Sequence, residues 1–583
     1  MFVRAKRRFK DGKEHRYWSV VENVRNRDGR VVQRQVLYLG EINDRQRAAW
    51  CRSIEVLQGD SGSRSMALFA EDGEAPELAC EVVRIQVKAL SLHRPRQWGA
   101  CWLALTLWDR LELDRFWRPR LVPSRQGTRW LDVLKTLVCY QLIDPGSEWR
   151  LHRHWYGHSA MRDLLGSPMA AIADDTLYRC LDKLAAHKRA FFSFLRGRWE
   201  RLFDARFDVL LYDLTSTYFE SDPPFADKRR FGYSRDKRSD CVQVVIALIV
   251  TPEGFPLAYE VMAGNTSDNT TLAGFLKKIE AQYGRSERVW IMDRGIPTEA
   301  TLEAMRTAPV PVHYLVGTPK GRLTKLERAF AGKPWQQVRD SVDVKLLAED
   351  GELYVLAKSR PRMFKERGMR RRRLKKLWRR LHELRGQSLT RDELLLKLGA
   401  ARKDAGRAWH LVQIGLPEAG EAVTPQTFTF GLRRERLRQA RRREGRYLLR
   451  SNLTAEDPEK LWRYYLQLTE VEQAFRELKH DLSVRPIFHR TEARIEAHIF
   501  VAFIAYCLHV TLKNLARPQA PGLTPRAILE KFSTLQMVDV HLPTTDGRHL
   551  VLPRYTQPQR DHQLLLDRLK LRLPEQPTPR LLA

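Results

Sequence analysis

Hydrophobic and polar positions change period several times along the chain, and each change marks a different kind of element. Between residues 1 and 42 they alternate in three stretches, around FVRAKRRF, HRYWSVVENV and VVQRQVLYLG, separated by Asp11-Gly12 and Asp28-Gly29. Alternation broken by Asp-Gly predicts antiparallel strands joined by tight hairpins. Residues 59–79, with GDSGS and EDGEAPE, read as a linker or loop. From about 95 to 204 the period is helical, as in WGACWLALTLWDRLEL and WLDVLKTLVCYQLI. Residues 205–320 then read strand, strand, strand, helix, strand, helix, strand, with strands DVLLYDL, CVQVVIALIV, FPLAYEVMAG, RVWIMD and VHYLVGT. That order predicts a mixed sheet covered by helices. About 130 residues later GRYLLRSNL (445–453) returns as a strand. It precedes a helix over Tyr465–Lys479 and a second, long one over the stretch that ends in HIFVAFIAYCLHVTL.

The expected class is therefore α/β and multidomain. The expected division is a small antiparallel sheet (1–45), a linker region (46–94), a helical domain (95–204), an α/β domain in two parts (205–320 and 445–515) around an insertion (321–444), and an irregular Pro-rich tail (516–583) suited to a subunit contact.

Charge narrows the partner. Among 583 residues, 102 are Lys or Arg and 70 Asp or Glu, a formal net charge of +32, which points to a polyanion rather than a small metabolite. The densest run, Arg360–Arg385, holds thirteen basic residues and includes Arg370, Arg371, Arg372 and Arg373; RRERLRQARRREGR follows at 433–446. Dense basic runs favour phosphate contacts, and a solvated helix face is the plain alternative. The seven cysteines form no zinc-ligand spacing and read as thiols of a reducing cytosol. Met1–Arg8 has no apolar core behind it, and the apolar run Ile499–Leu512, broken by His509, is too short to span a bilayer. A cytoplasmic protein with no membrane partner is expected.

Two of the apolar strands end in an acid, Asp213 in DVLLYDLT and Asp293 in RVWIMDRG. A carboxylate there is costly to desolvate unless it is paired or holds a metal. Within Tyr465–Lys479, Tyr465, Glu472 and Lys479 are spaced seven and seven, close to two turns of helix. One stripe then carries an aromatic, a carboxylate and an amine, and Glu472 is the third acid. Three carboxylates suit hard divalent cations, two of which can flank a phosphodiester for in-line attack.

These residues resemble the bacterial insertion-sequence DDE transposases, in the subgroup with a Tyr-x2-Arg-x3-Glu-x6-Lys signature. Tyr465, Glu472 and Lys479 match it, as do the Asp-x-Thr at Asp213–Thr215 and the stretches GYSRDKRSD (232–240) and GNTSDNTT (264–271). Leu468 stands where the family has Arg. The resemblance implies a ribonuclease-H-like catalytic domain in which Asp213, Asp293 and Glu472 hold two Mg2+ ions, Mn2+ substituting. It implies double-stranded DNA partners, both element ends and target, and a synaptic homodimer, because two ends need two active sites. Tyr465 and Lys479 would position phosphates, with Arg294 and Lys320 as further candidates. The helical region would grip the terminal repeats. Tyr447, on the returning strand, holds the place of an aromatic that stacks on a flipped base in hairpin-forming relatives; packing against the sheet is the alternative.

The expected function is cut-and-paste transposition by an insertion-sequence transposase associated with the nucleoid. The rivals are a ribonuclease-H-like DNA nuclease that never joins strands and an inactive DNA-binding relative. His480, His489, His498 and His509 share no helical face, so no histidine metal site is expected.

Overall fold

The computed structural model describes the chain except residues 11–12, 26–30, 43–45, 48–49, 51–84, 167–171, 221–227, 285–286, 311, 319–325, 327–328, 340 and 583. The two Asp-Gly turns and most of the expected linker lie outside the described residues. The three alternating runs form strands β1 (Phe2–Lys10), β2 (Lys13–Arg25) and β3 (Val31–Gly40), an antiparallel sheet in that order. Trp50 anchors the following segment far along the chain, its Nε1 donating to the Pro521 carbonyl at 2.6 Å.

The linker expected over 46–94 is partly strand. Ser91–Gln97 forms β4. The helical region follows, with α1 (Gly99–Arg110), α2 (Trp130–Ile143), α3 (Asp174–Leu181) and α4 (Lys188–Phe203).

Among the described residues the main sheet has nine strands. In chain order they are β5 (Val209–Tyr218), β6 (Gln243–Val250), β7 (Pro256–Ala263), then after α5 (Leu272–Tyr283) β8 (Val289–Met292), and after α6 (Glu299–Thr307) β9 (His313–Gly317). Next come β10 (Gln336–Arg339), β11 (Val342–Glu349) and β12 (Glu352–Ser359). The spatial order is β10-β11-β12-β15-β9-β8-β5-β6-β7, with β15 defined below. Among the described strands of this sheet, β5–β8 and β8–β9 are the parallel pairs. β6 is buried along its whole length, as an unbroken apolar run demands of a strand covered on both faces.

The sheet corrects the expected insertion. Residues 336–359, assigned to it from sequence, extend the main sheet instead. The chain leaves the sheet at Arg360 as α7 (Arg360–Arg385), then α8 (Arg391–Ala405), the β13 (Val412–Gly415) and β14 (Thr429–Leu432) hairpin, and α9 (Arg434–Arg443). This excursion carries its own core of Leu377, Leu381, Leu384, Leu394, Leu398 and Phe428. It returns as β15 (Arg446–Ser451), which slots between β12 and β9.

The stretch Tyr465–Lys479 is not one helix. It divides into α10 (Pro458–Leu466), α11 (Leu468–Arg476) and a π-helical turn, Glu477–Asp481. The long helix α12 (Glu492–Gln519) starts only after an extended segment. α12 is long and apolar enough by composition to cross a membrane, but 94% of its apolar window is buried inside the protein. It packs between sheet and helical region: Tyr506 donates to the Gly254 carbonyl at 2.8 Å, and Trp199 of α4 donates to Thr511 at 3.2 Å.

The tail is not irregular. After α13 (Pro525–Phe532), β16 (Gln536–Pro543) and β17 (His549–Tyr555), α14 (Arg560–Leu569) and β18 (Arg580–Leu582) complete it. The four-stranded sheet β18-β17-β16-β4 joins the tail to residues over 400 positions away. Buried Asp539 on β16 pairs there with Arg96 at 2.9 Å, a partnership invisible to local pattern.

Candidate active site

Asp213 does not end its strand, since β5 runs on to Tyr218; it lies mid-strand, beside Asp293 just past the end of β8, because these strands are parallel and in register. Tyr212 pairs with Met292, so the next residues, Asp213 and Asp293, are adjacent across two neighbouring strands. Each takes a backbone amide onto its Oδ1: Leu214 N donates to Asp213 at 2.8 Å and Arg294 N to Asp293 at 2.7 Å. The next strand continues the register, Met292 pairing with Val316. That sets Gly317 beside Asp293, where an added Cβ would stand 3.4 Å from its Oδ1.

Glu472 joins them from α11, whose apolar residues Val471, Ala474 and Phe475 pack down while Glu472 stays exposed. Burial pushes the Asp213 carboxyl up to about 7, with the charges of Asp293 and Glu472 adding to the rise; the Leu214 N–H and Arg235 oppose it. Such mutual repulsion is what a bound cation relieves. Three carboxylates form an all-oxygen donor set that fits a hard divalent ion.

The two family-like loops meet beside this cluster through a pair of glycines. A Cβ on Gly232 would lie 2.0 Å from the Gly264 carbonyl oxygen, and one on Gly264 2.1 Å from that of Gln243. Gln243 Nε2 locks the crossing by donating to the Gly264 and Tyr233 carbonyls at 2.8 and 3.2 Å. The crossing brings Arg235 onto Asp268, with its amide donating to Ser216 of β5 at 3.3 Å. It also brings Asp236 onto Lys479 at 2.8 Å and onto Arg485.

The seven-residue stripe is therefore broken. Lys479 sits in the π-helical turn, 9% exposed and paired with Asp236. Burial lowers its amine from the usual range, against the pull of Asp236. Tyr465 lies on the preceding helix, packed at 5.6 Å on both Tyr447 and Trp462. Burial raises its hydroxyl. Tyr447 is half-buried, edge-on to Trp462, with the Arg362 guanidinium 4.7 Å over its ring. Arg362 brings the start of α7 to this aromatic group.

Arg294 is exposed on the loop after β8, and Lys320 lies outside the described residues. The basic run divides by direction because four successive residues on a helix face all ways. Arg370 is turned inward onto Glu444 at 2.5 Å, while Arg371, Arg372 and Arg373 are exposed. Arg373 also lines a cleft of about 670 Å3 with Arg362, Lys365, Arg370, Arg407 and Arg443. Arg235, Asp236 and Arg485 were not singled out from sequence, and Arg362 only as one of the basic run. For the first two the signal was present, since both fall inside GYSRDKRSD.

The histidine expectation fails in its premise, since the four do not share a helix. His489 lies in the extended segment before α12 and His498 on α12, and both approach Glu148. His509 faces Glu477 at 3.4 Å, and His480 lies in the π-helical turn.

Comparison with known proteins decides the family. The Transposase DDE domain model matches residues 205–508, more than half of the chain. The chain belongs to the DDE transposases. The model of the IS1634 family transposase N-terminal domain matches residues 2–59, covering the three-stranded sheet. The DDE transposase is thus an insertion-sequence enzyme that acts on DNA and depends on divalent metal. Among solved structures, a cryo-EM structure of the piggyBac transposase synaptic complex with hairpin DNA is similar at 11% identity and a TM-score of 0.35, over 69% of this chain and 70% of that one. No curated protein matches the chain.

Proposed function

We propose that this transposase excises its element by hydrolysis at the element ends and joins the freed 3′ ends to target DNA, with Asp213, Asp293 and Glu472 as metal ligands. The observation that carries the reading is the register of β5 and β8, which makes Asp213 and Asp293 neighbours, with Glu472 near enough to perturb Asp213. Two Mg2+ ions, replaceable by Mn2+, fit the all-oxygen set. When bound they supply Lewis acidity to the attacking and departing oxygens.

The chain's own residues do the positioning. The backbone amides of Leu214 and Arg294 orient the two aspartates so that each keeps an oxygen free for a ligand. Arg294 and Arg235 flank the carboxylates with positive charge, which offsets the repulsion between the acids and an incoming phosphate. Water is the first nucleophile and a DNA 3′-hydroxyl the second, and no covalent protein intermediate is required. The exposed arginines of α7 and the helical region would bind duplex backbone and terminal repeats. A homodimer would hold two ends together, in the bacterial cytosol at the nucleoid.

The test is a reaction on DNA carrying both ends of the element taken from the sequence flanking the gene, with a supercoiled target. Mg2+-dependent cleavage followed by joined product supports the proposal. Cleavage without joining assigns the nuclease instead.

A further inference from the structure

Away from the carboxylate cluster, the structure gathers a second set of ligand-type side chains. Glu148 opens a short helical turn in the helical region, preceded by Ser147, whose hydroxyl accepts from Arg150 N at 3.3 Å. Its Oε1 lies 3.1 Å from His489 Nε2 and 3.6 Å from His498 Nδ1. The three side chains are 8%, 5% and 7% exposed. Their ligand atoms all fall within 4.8 Å of one another.

Hydrogen bonding alone leaves this group unfinished. At 3.6 Å the His498 Nδ1 contact is too long for a hydrogen bond. A buried carboxylate also needs compensating charge, yet the nearby guanidiniums are committed elsewhere. Arg494 pairs with Asp182 at 2.9 Å and Arg150 with Asp144 at 2.8 Å. Among the described residues, the two imidazoles are the charged or chargeable groups paired with Glu148.

The two separations from Glu148 also suit a coordination polyhedron. With bonds of about 2.1 Å, two ligands of a tetrahedral zinc stand about 3.4 Å apart, between the 3.1 and 3.6 Å found here. Two imidazole nitrogens and one carboxylate oxygen are a borderline donor set, suited to zinc and poor for magnesium, which prefers oxygen and its own waters. The ring of Tyr178 closes one side, edge-on to His489 at 5.8 Å.

We infer that Glu148, His489 and His498 form a zinc site, three protein ligands with the fourth position left for solvent. It would tie the helical region to the segment linking the Glu472 helix to α12. It would therefore fix the segment that carries Arg485, without taking part in DNA chemistry.

Full-length protein, purified without metal-affinity resin or chelator, should carry about one zinc per chain by elemental analysis. After chelation its melting temperature should fall, and return with Zn2+ but not Mg2+. Glu148→Gln and His498→Gln should carry no zinc and show no Zn2+-dependent rise, whereas Asp213→Asn should keep both. Cobalt added to the chelated wild type should give the intense visible absorption of a tetrahedral ion. If the variants misfold, the wild-type zinc content and reloading decide alone. A wild type that neither carries nor takes up zinc overturns the inference, as does zinc that persists in folded Glu148→Gln and His498→Gln.

Discussion

Lys479 is the signature residue whose role the structure changes most, and its partner Asp236 gives the sharpest test. Asp236 holds two cations, Lys479 at 2.8 Å and Arg485, which are 9% and 16% exposed. Asp236→Asn leaves both charges buried without a counter-ion. Breaking a buried pair costs about 3–5 kcal/mol. At ~2 °C per kcal/mol for a large chain, the melting temperature should fall by ~6–10 °C. Lys479→Met is milder, because Asp236 keeps Arg485 and methionine replaces most of the buried stem. A loss of ~1–2 kcal/mol, or ~2–4 °C, is expected. The double variant should lose at least ~1 kcal/mol less than the sum of the two.

The pH dependence has a definite sign. Burial pushes the Asp236 carboxyl up, but the hydrogen bonds from Arg485 and Lys479 outweigh it and hold it below the ordinary value. A depressed carboxylate stabilises above its unfolded value of about 3.9, and that stability is lost as pH falls through the folded value. The gap between wild type and Asp236→Asn should thus be full at neutral pH and close below about pH 4. Scanning fluorimetry reads these shifts, and DNA-binding isotherms at several salt concentrations complete the assay. With its amine committed to Asp236, Lys479→Met should leave the salt slope unchanged. An unchanged melting temperature with a slope reduced by ~0.9, the loss of one phosphate contact, would refute this reasoning.

The arginine run should separate in the same assays. Arg371→Gln with Arg373→Gln should lower the salt slope by up to ~1.8 at constant stability, whereas Arg370→Gln should lower stability, since buried Glu444 then keeps the longer contact to Arg367 at 3.5 Å. Gly264→Ala should force the 264–271 loop away from the Gln243 and Arg230 carbonyls, costing ~1–3 kcal/mol of stability and slowing cleavage by more than about tenfold. If hairpin ends form, Tyr447→Ala should slow that step roughly ten- to a hundredfold on a pre-nicked end while nicking stays normal, and Tyr447→Trp should restore it. Equal slowing of both steps would make Tyr447 a packing residue, as its contacts with Trp462 and Tyr465 allow.

How much of this was legible follows from the range of each interaction. Asp213 and Asp293 could be read because each ends an apolar run, and a strand needs only its own residues to declare itself. Glu472 could be read for the apolar neighbours that set its face. The seven-residue spacing misled at both ends, because it assumes an unbroken helix and the chain divides at Gln467 and again at Glu477. The partnerships Lys479–Asp236, Arg362–Tyr447, Glu148–His489 and Arg96–Asp539 join residues 85 to 443 positions apart, and no local period records them. The tail was read as irregular for its prolines, yet β16 and β17 pair with each other and with β4.

The proposal at the centre is that Asp213, Asp293 and Glu472 hold the metal that cuts DNA. It is tested most directly by Asp213→Asn, Asp293→Asn and Glu472→Gln in a single-turnover cleavage assay on end-containing DNA with Mg2+ and with Mn2+. The account predicts that each substitution abolishes cleavage with either metal, while DNA affinity is held or rises slightly through loss of negative charge. Near wild-type cleavage by any one of the three would remove that residue from the site and contradict the account.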